Sequence, residues 1–182
     1  ASWGWGNTAH LLVGALSHSG RWRGQLAEAE TFPHLVQGLD VVSRKLGGLT
    51  RSWRFDRMAT VASPNTGRIT APFAGVAKHY GVQVALCPPR HGNRKGVVEK
   101  ANHTAAQRFW RTLGDDVSVE QAQAALDEWC RRRGDVRLRP GGTGGKLTVA
   151  TLAEREPLTA VGAAYPAELT VTRIVSAQAL VA

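Results

Sequence analysis

The chain has 182 residues, 43% of them hydrophobic and 20% charged, with a net charge of +9 and a pI near 10.5. That balance excludes a disordered or fibrous polymer and supplies enough apolar side chains for one core of ordinary size. The cationic excess points to a polyanionic partner, nucleic acid first, because each phosphate neutralised by Lys or Arg releases counterions.

No apolar run reaches the ~18 residues of a membrane span, and no charged-then-apolar leader opens the chain. Cys87 and Cys130 are the only cysteines. Without close spacing they make neither a disulfide framework nor a zinc site, so a reduced, cytoplasmic setting is expected. The six histidines are scattered and hold no metal-ligand pattern.

In chain order, residues 10–18 form a short apolar run that predicts a buried strand. Ser19-Gly20 is a turn, and residues 21–29 follow as a second strand, antiparallel to the first. Thr31 stands where a helix cap belongs, with Pro33 in the first turn. Leu35, Val36, Leu39, Val42 and Leu46 then recur at helical spacing until Gly47-Gly48 stops the helix. A third strand over 51–55 delivers Asp56. Residues 58–70 read as a loop with a turn cluster at 63–67, and 71–80 as a helix begun by Pro72 and ended by Gly81. A strand follows over 82–87, and this alternation implies a mixed sheet with helices packed on it.

From Lys95 to about Leu113 the pattern is helical, with Ala101, Ala105 and Phe109 on one face. Ser118 heads another helix, with Glu120 or Gln121 placed to complete a capping interaction; it ends in Arg131-Arg132-Arg133-Gly134, which with Arg137 and Arg139 reads as a solvated helix end favourable to the helix dipole, or as a DNA-backbone contact. Residues 140–146 read as a linker by composition. A phosphate loop is excluded there: Pro140 occupies the first glycine position and Leu147 follows Lys146 where Ser or Thr is required. A short helix over 152–158 and a strand-like alternation over 168–182 complete the chain.

Two acids stand out. Asp56 ends a strand, and Glu99 opens a helix after the basic loop 87–98. Alone, each has an ordinary explanation: a turn former in one case, a solvated helix acid in the other. Together they would emerge near the C-terminal ends of neighbouring strands, where open α/β sheets place their sites. Residues 90–111 hold Arg90, Arg94, Lys95, Lys100, Arg108 and Arg111 against Glu99 as the one acid. A small carboxylate set suits Mg²⁺ or Mn²⁺, which take few carboxylates together with water and phosphate oxygens. Arg57, Arg90, Arg94, Lys95, Lys100 and Arg108 are the cations expected to meet DNA phosphates. The competing reading is a salt-bridged surface helix.

With those residues in hand, the chain resembles the catalytic core of DDE transposases related to retroviral integrase, nearest to the IstA-like group. The resemblance rests on 47–58, which looks like the family's approach to its second acid, and on 79–99, which looks like the approach to its third. It covers roughly residues 8–113. It implies an α/β, RNase H-like fold: a mixed sheet flanked by helices. Residues 1–113 would form the core, 114–139 a helical extension, 140–149 a linker and 150–182 the beginning of a small C-terminal β-barrel. It also implies metal-dependent DNA cleavage and strand transfer, with Asp56 and Glu99 as catalytic metal ligands. DNA ends and target, a homo-oligomer on DNA and an ATP-dependent helper protein are the implied partners. The family's first Asp sits on a strand preceding residue 10, whereas the first Asp or Glu here is Glu28. That departure keeps a second expectation open, a degenerate, non-enzymatic DNA-binding module.

Overall fold

A computed structural model describes residues 9–87, 96–114, 116–142 and 144–167, the side chains of 96–99 excepted. Strand β1 (His10–Ala15) pairs antiparallel with β2 (Trp22–Ala27), His10 opposite Ala27 and Ala15 opposite Trp22. Both are shorter than the sequence pattern. The turn between them closes with Gly20 N–H donating to Leu16 O at 2.9 Å, and Gly20 takes a left-handed φ of +71° that a side chain would strain.

Strand alternation divides β1 between two layers. Leu12 and Leu16 pack toward helix α1 (Phe32–Leu46), where Val42 and Leu46 receive them. Leu11, Val13 and Ala15 pack on the other face, against Trp22, Ala101, Ala105, Phe109, Leu126 and Cys130. Helix α1 approaches closely because Gly38 faces Leu12: a Cβ on that glycine would fall 2.7 Å from Leu12 Cδ2. Thr31 is the first residue of the helix cap, but its hydroxyl lies 2.7 Å from His34 Nδ1 instead of bonding a free backbone N–H.

After Gly47, strand β3 (Ser52–Phe55), helix α2 (Ala71–Tyr80) and strand β4 (Gln83–Leu86) form a parallel β-α-β unit with Phe55 opposite Leu86. Thr70 caps α2 by accepting from Phe73 N–H, and Gly81 ends it at φ +65°. Helix α3 (Gly96–Thr104) runs on through a π-helical turn, Ala105–Phe109, and a 3-10 turn, Trp110–Thr112. Ser118 and Gln121 form the reciprocal capping box of α4 (Val119–Trp129), so Gln121 rather than Glu120 is the partner. The helix passes into a second π-helical turn, Cys130–Asp135.

The described strands form three pairs, two antiparallel and one parallel, so strand directions are mixed as expected. The strand expected to precede β1 falls within residues 1–9, and 1–8 lie outside the described residues. The expected linker is a hairpin: β5 (Leu138–Gly141) pairs antiparallel with β6 (Gly145–Thr148), and Gly144 at φ +87° turns the corner. Glycine content therefore marks a tight turn here, not a flexible tether. Of the stretch 150–182, expected to begin a small β-barrel, residues 150–167 are described. Residues Val149–Ala153 form helix α5, Thr159 makes an isolated bridge to Leu49, and Tyr165 packs on the cluster around Tyr80. Residues 168–182 lie outside the described residues. No helix among the described residues is long and apolar enough to cross a membrane.

Among the described residues the outer edge of β2 has no neighbouring strand, and helix α4 satisfies it instead. Gln123 accepts from Leu26 N–H at 2.9 Å and donates to Gly24 O at 3.1 Å, and Lys45 Nζ reaches the same carbonyl at 3.4 Å. One amide side chain thus replaces one rung of a ladder. Gln123→Ala leaves a part-buried donor and acceptor without that partner. A loss of about 1–3 kcal/mol is expected, read from the urea midpoint at constant m-value.

Residues 161–167 are held by charge. Asp40, 9% exposed, accepts from Arg44 Nε at 2.8 Å and from Tyr80 Oη at 2.9 Å, and Tyr165 N–H donates to Tyr80 Oη at 3.1 Å. Arg44 also donates to Gly162 O at 2.6 Å. The Arg44 hydrogen bond holds the Asp40 carboxyl below the usual carboxylate range. A carboxyl depressed on folding contributes stability above its unfolded pKa and loses it as pH falls through the folded value. Below about pH 4, near the unfolded value, Asp40→Asn is expected to flatten the acid limb of the stability curve, as measured by urea unfolding at stepped pH. An acid limb identical to wild type would contradict this role.

Candidate functional site

Strand β3 alternates. Trp53 and Phe55 turn inward, Trp53 at 5.5 Å between ring centroids from Tyr80 and Phe55 at 5.2 Å from Phe73, while Ser52 and Arg54 are exposed. The alternation carries on to Asp56, which is exposed immediately beyond the strand. Its carbonyl accepts from Met58 N–H at 2.8 Å, turning the chain sharply away from the sheet. Alongside, Cys87 N–H donates to Phe55 O at 2.8 Å, so the parallel pairing persists to the strand ends. Asp56 therefore stands at the C-terminal edge of a parallel pair, the edge where open α/β sheets bind ligands.

Glu99 is on α3, one residue before Lys100; its side chain lies outside the described residues, as do Arg90, Arg94 and Lys95. What fixes α3 is the opposite face. Ala101 (4% exposed), Ala105 (2%) and Phe109 (2%) are buried against Trp22, Leu126 and Cys130. Lys100, Asn102, His103 and Arg108 are exposed. Arg57 is exposed too, and its guanidinium lies over Gly67: a Cβ there would fall 3.4 Å from Arg57 Cζ. The cations proposed from sequence thus divide into Arg57 beside the 63–67 turn and Lys100 with Arg108 on α3.

The donor chemistry available for a metal is hard oxygen. Asp56 is a solvent-facing carboxylate, which fits an ion that keeps several waters and takes few carboxylates. Burial pushes the Cys130 thiol up to about 12 and keeps it protonated. Among the described residues, no three of His, Cys, Asp and Glu gather as a metal site. Glu30 is spent on His10, 3.1 Å from its Nδ1.

The sequence did not reveal a cleft beside α3. It brings Gly20 of the first turn and Lys100 and Thr104 of α3 together with Arg137 and Arg139 at the start of the last hairpin. Arg137 and Arg139 belong to the basic stretch after α4 that the sequence reads as a solvated helix end or a DNA-backbone contact; their meeting with Lys100 is a consequence of the fold.

No family model matches the chain. Over 89 residues, 47% of this chain, it is 29% identical to the transposase for insertion sequences IS1326/IS1353 of Pseudomonas aeruginosa. The same figures hold for the transposase of that name from Shigella flexneri. The chain spans 18% of the length of these curated relatives. Among solved structures it is similar to the catalytic core domain of BIV integrase, with a TM-score of 0.57 and 18% identity over 81% of this chain and 87% of that one. It is also similar to a chain of the simian T-cell lymphotropic virus intasome in complex with PP2A regulatory subunit B56 gamma. There the TM-score is 0.60 and the identity 18%, over 88% of this chain and 54% of that one. The fold is that of an integrase catalytic core, and the sequence resembles insertion-sequence transposases.

If small residues set the seat of α3, enlarging one should lift the helix. Ala101→Leu is expected to cost about 1–3 kcal/mol by overpacking, read from chemical denaturation. A neutral result would mean that α3 is seated by other contacts.

Proposed function

We propose that this chain is part of a DNA-joining enzyme, a DDE-type transposase core whose reaction depends on Mg²⁺ or Mn²⁺. The observation that carries the reading is Asp56, exposed at the C-terminal tip of β3 in an integrase-core fold, with Glu99 on the helix that follows the neighbouring strand. Asp56 and Glu99 would hold the metal. When bound, such an ion supplies Lewis-acid polarisation of a phosphoryl oxygen and favours the ionised nucleophile.

The chain's own residues do the remaining work. Lys100, Arg108 and Arg57 set positive charge on the exposed surface and orient phosphates toward the two acids. In cleavage, a water oxygen bonds to phosphorus, the P–O3′ bond breaks and the departing O3′ takes up a proton. In strand transfer, that 3′-hydroxyl oxygen attacks a target phosphodiester, and one P–O bond forms as another breaks. The proposal extends to binding of element ends and target DNA, to a homo-oligomer assembled on them and to an ATP-dependent helper protein.

A second reading, a DNA-binding module of the same fold without the chemistry, rests on the sequence, in which no Asp or Glu stands before Glu28. The two separate experimentally. On a labelled duplex with Mn²⁺, the transposase reading expects nicking that Asp56→Asn reduces to the metal-free background while duplex affinity stays within a few-fold. Salt-sensitive binding with no nicking by the unaltered chain would leave only the binding module.

A further inference from the structure

The cleft between α3 and the β5–β6 hairpin has a volume of about 460 Å³, within the range of sites that take a ligand of nucleotide size. Its lining sets three cations, Lys100 from α3, Arg137 from the segment after the second π-helical turn and Arg139 from β5, beside apolar Trp22, Ala101 and Leu138, and none of the described lining residues is Asp or Glu. Three like charges gathered from distant parts of the chain repel one another unless an anion sits among them.

Two of these cations are held in place. Arg137 Nε donates to Gly134 O at 3.2 Å and its Nη2 to Gly20 O at 3.3 Å. The Arg139 guanidinium lies directly over Gly20, where a Cβ would come within 1.9 Å of its Nη1. Glycine at this corner therefore serves both the left-handed turn and the seat of the guanidinium.

The nearby acids are committed elsewhere. Asp135 accepts from Arg23 at 3.0 and 2.6 Å and lies 3.7 Å from Arg21 Nε. Glu156 accepts the Ser19 N–H at 2.8 Å. Among the described residues, neither Lys100 nor Arg139 has a carboxylate partner. Thr104 lines the cleft one helical turn beyond Lys100 and brings a hydroxyl donor.

From this geometry we infer that the cleft is a phosphodiester-binding site, which grips the DNA backbone beside the Asp56–Glu99 region and fixes the path of the duplex across α3. The inference rests on the DNA-joining reading for the identity of its anion, and it uses none of that reading's metal chemistry. Preorganised arginines and a lysine that meet no base edge give affinity without sequence preference. The Arg139 side chain makes this contact, and Arg137 holds the corner on which it rests.

The test is duplex binding by fluorescence anisotropy in EDTA, where metal-dependent cleavage plays no part, so its outcome is independent of Asp56→Asn. Loss of one phosphate contact lowers the slope of log affinity against log salt by about one and weakens binding about eightfold at 0.1 M salt. Arg139→Ala and Lys100→Ala are each expected to do this equally for unrelated duplex sequences. Arg139→Lys should restore most of the slope, and Lys78→Ala, on the exposed side of α2, should leave it unchanged. Circular dichroism and thermal unfolding establish that each variant is folded. Unchanged affinity and slope in folded Arg139→Ala and Lys100→Ala would overturn the inference. So would inorganic phosphate binding the cleft at millimolar concentration, monitored by Arg139-dependent chemical shifts, with no displacement by duplex: that result would mark a small-anion site.

Discussion

Trp22 is 2% exposed and touches almost everything that orients α3. It comes from the strand end nearest the first turn, lies 5.9 Å from Trp129 between ring centroids and shares a cluster with Ala101, Ala105, Phe109, Leu126 and Cys130. The two alanines let α3 come down close to this indole, and their size fixes the height at which the helix rides over the β1–β2 pair. Whatever Glu99 and Lys100 do, they do at a position set by packing on the far side of their own helix.

Charge then secures what the aromatic cluster brings together. The Arg23–Asp135 pair joins β2 to the second π-helical turn, and Lys45 pairs with Asp127 at 2.9 Å to join α1 to α4. Both are part-buried bridges between elements distant in sequence, so their value lies in register as much as in energy. Because Asp135 is taken by Arg23, the arginines that follow it, Arg137 and Arg139, line the cleft with no ion pair to an acid among the described residues. The same arrangement that stabilises the turn leaves these arginines for the proposed anion site.

Much of the fold was legible because local chemistry and tertiary need agree. Pro33 and Pro72 lie in the first turns of α1 and α2, Gly47 and Gly81 end them, and Ser118 with Gln121 caps α4. The hairpin at 138–148 was not legible, since its glycines carry the same composition whether they turn a corner or form a tether. The π-helical turns at 105–109 and 130–135 were also hidden, because one extra residue in a turn leaves the apolar spacing almost unchanged. Of the candidate site, the exposed tip of β3 at Asp56 could be read from strand alternation alone. The cleft could not, because Gly20, Lys100 and Arg139 meet only after two layers have packed.

The proposed DNA-joining chemistry requires Asp56 and Glu99 to serve one divalent ion. A crystal structure of the Mn²⁺-soaked chain, with anomalous data collected at the manganese edge, tests it most directly. One anomalous peak is expected, bounded by oxygens of both carboxylates at about 2.0–2.3 Å, the range of hard oxygen ligands to small divalent cations. Carboxyl groups facing opposite sides of the molecule, or manganese bound only elsewhere, would contradict it.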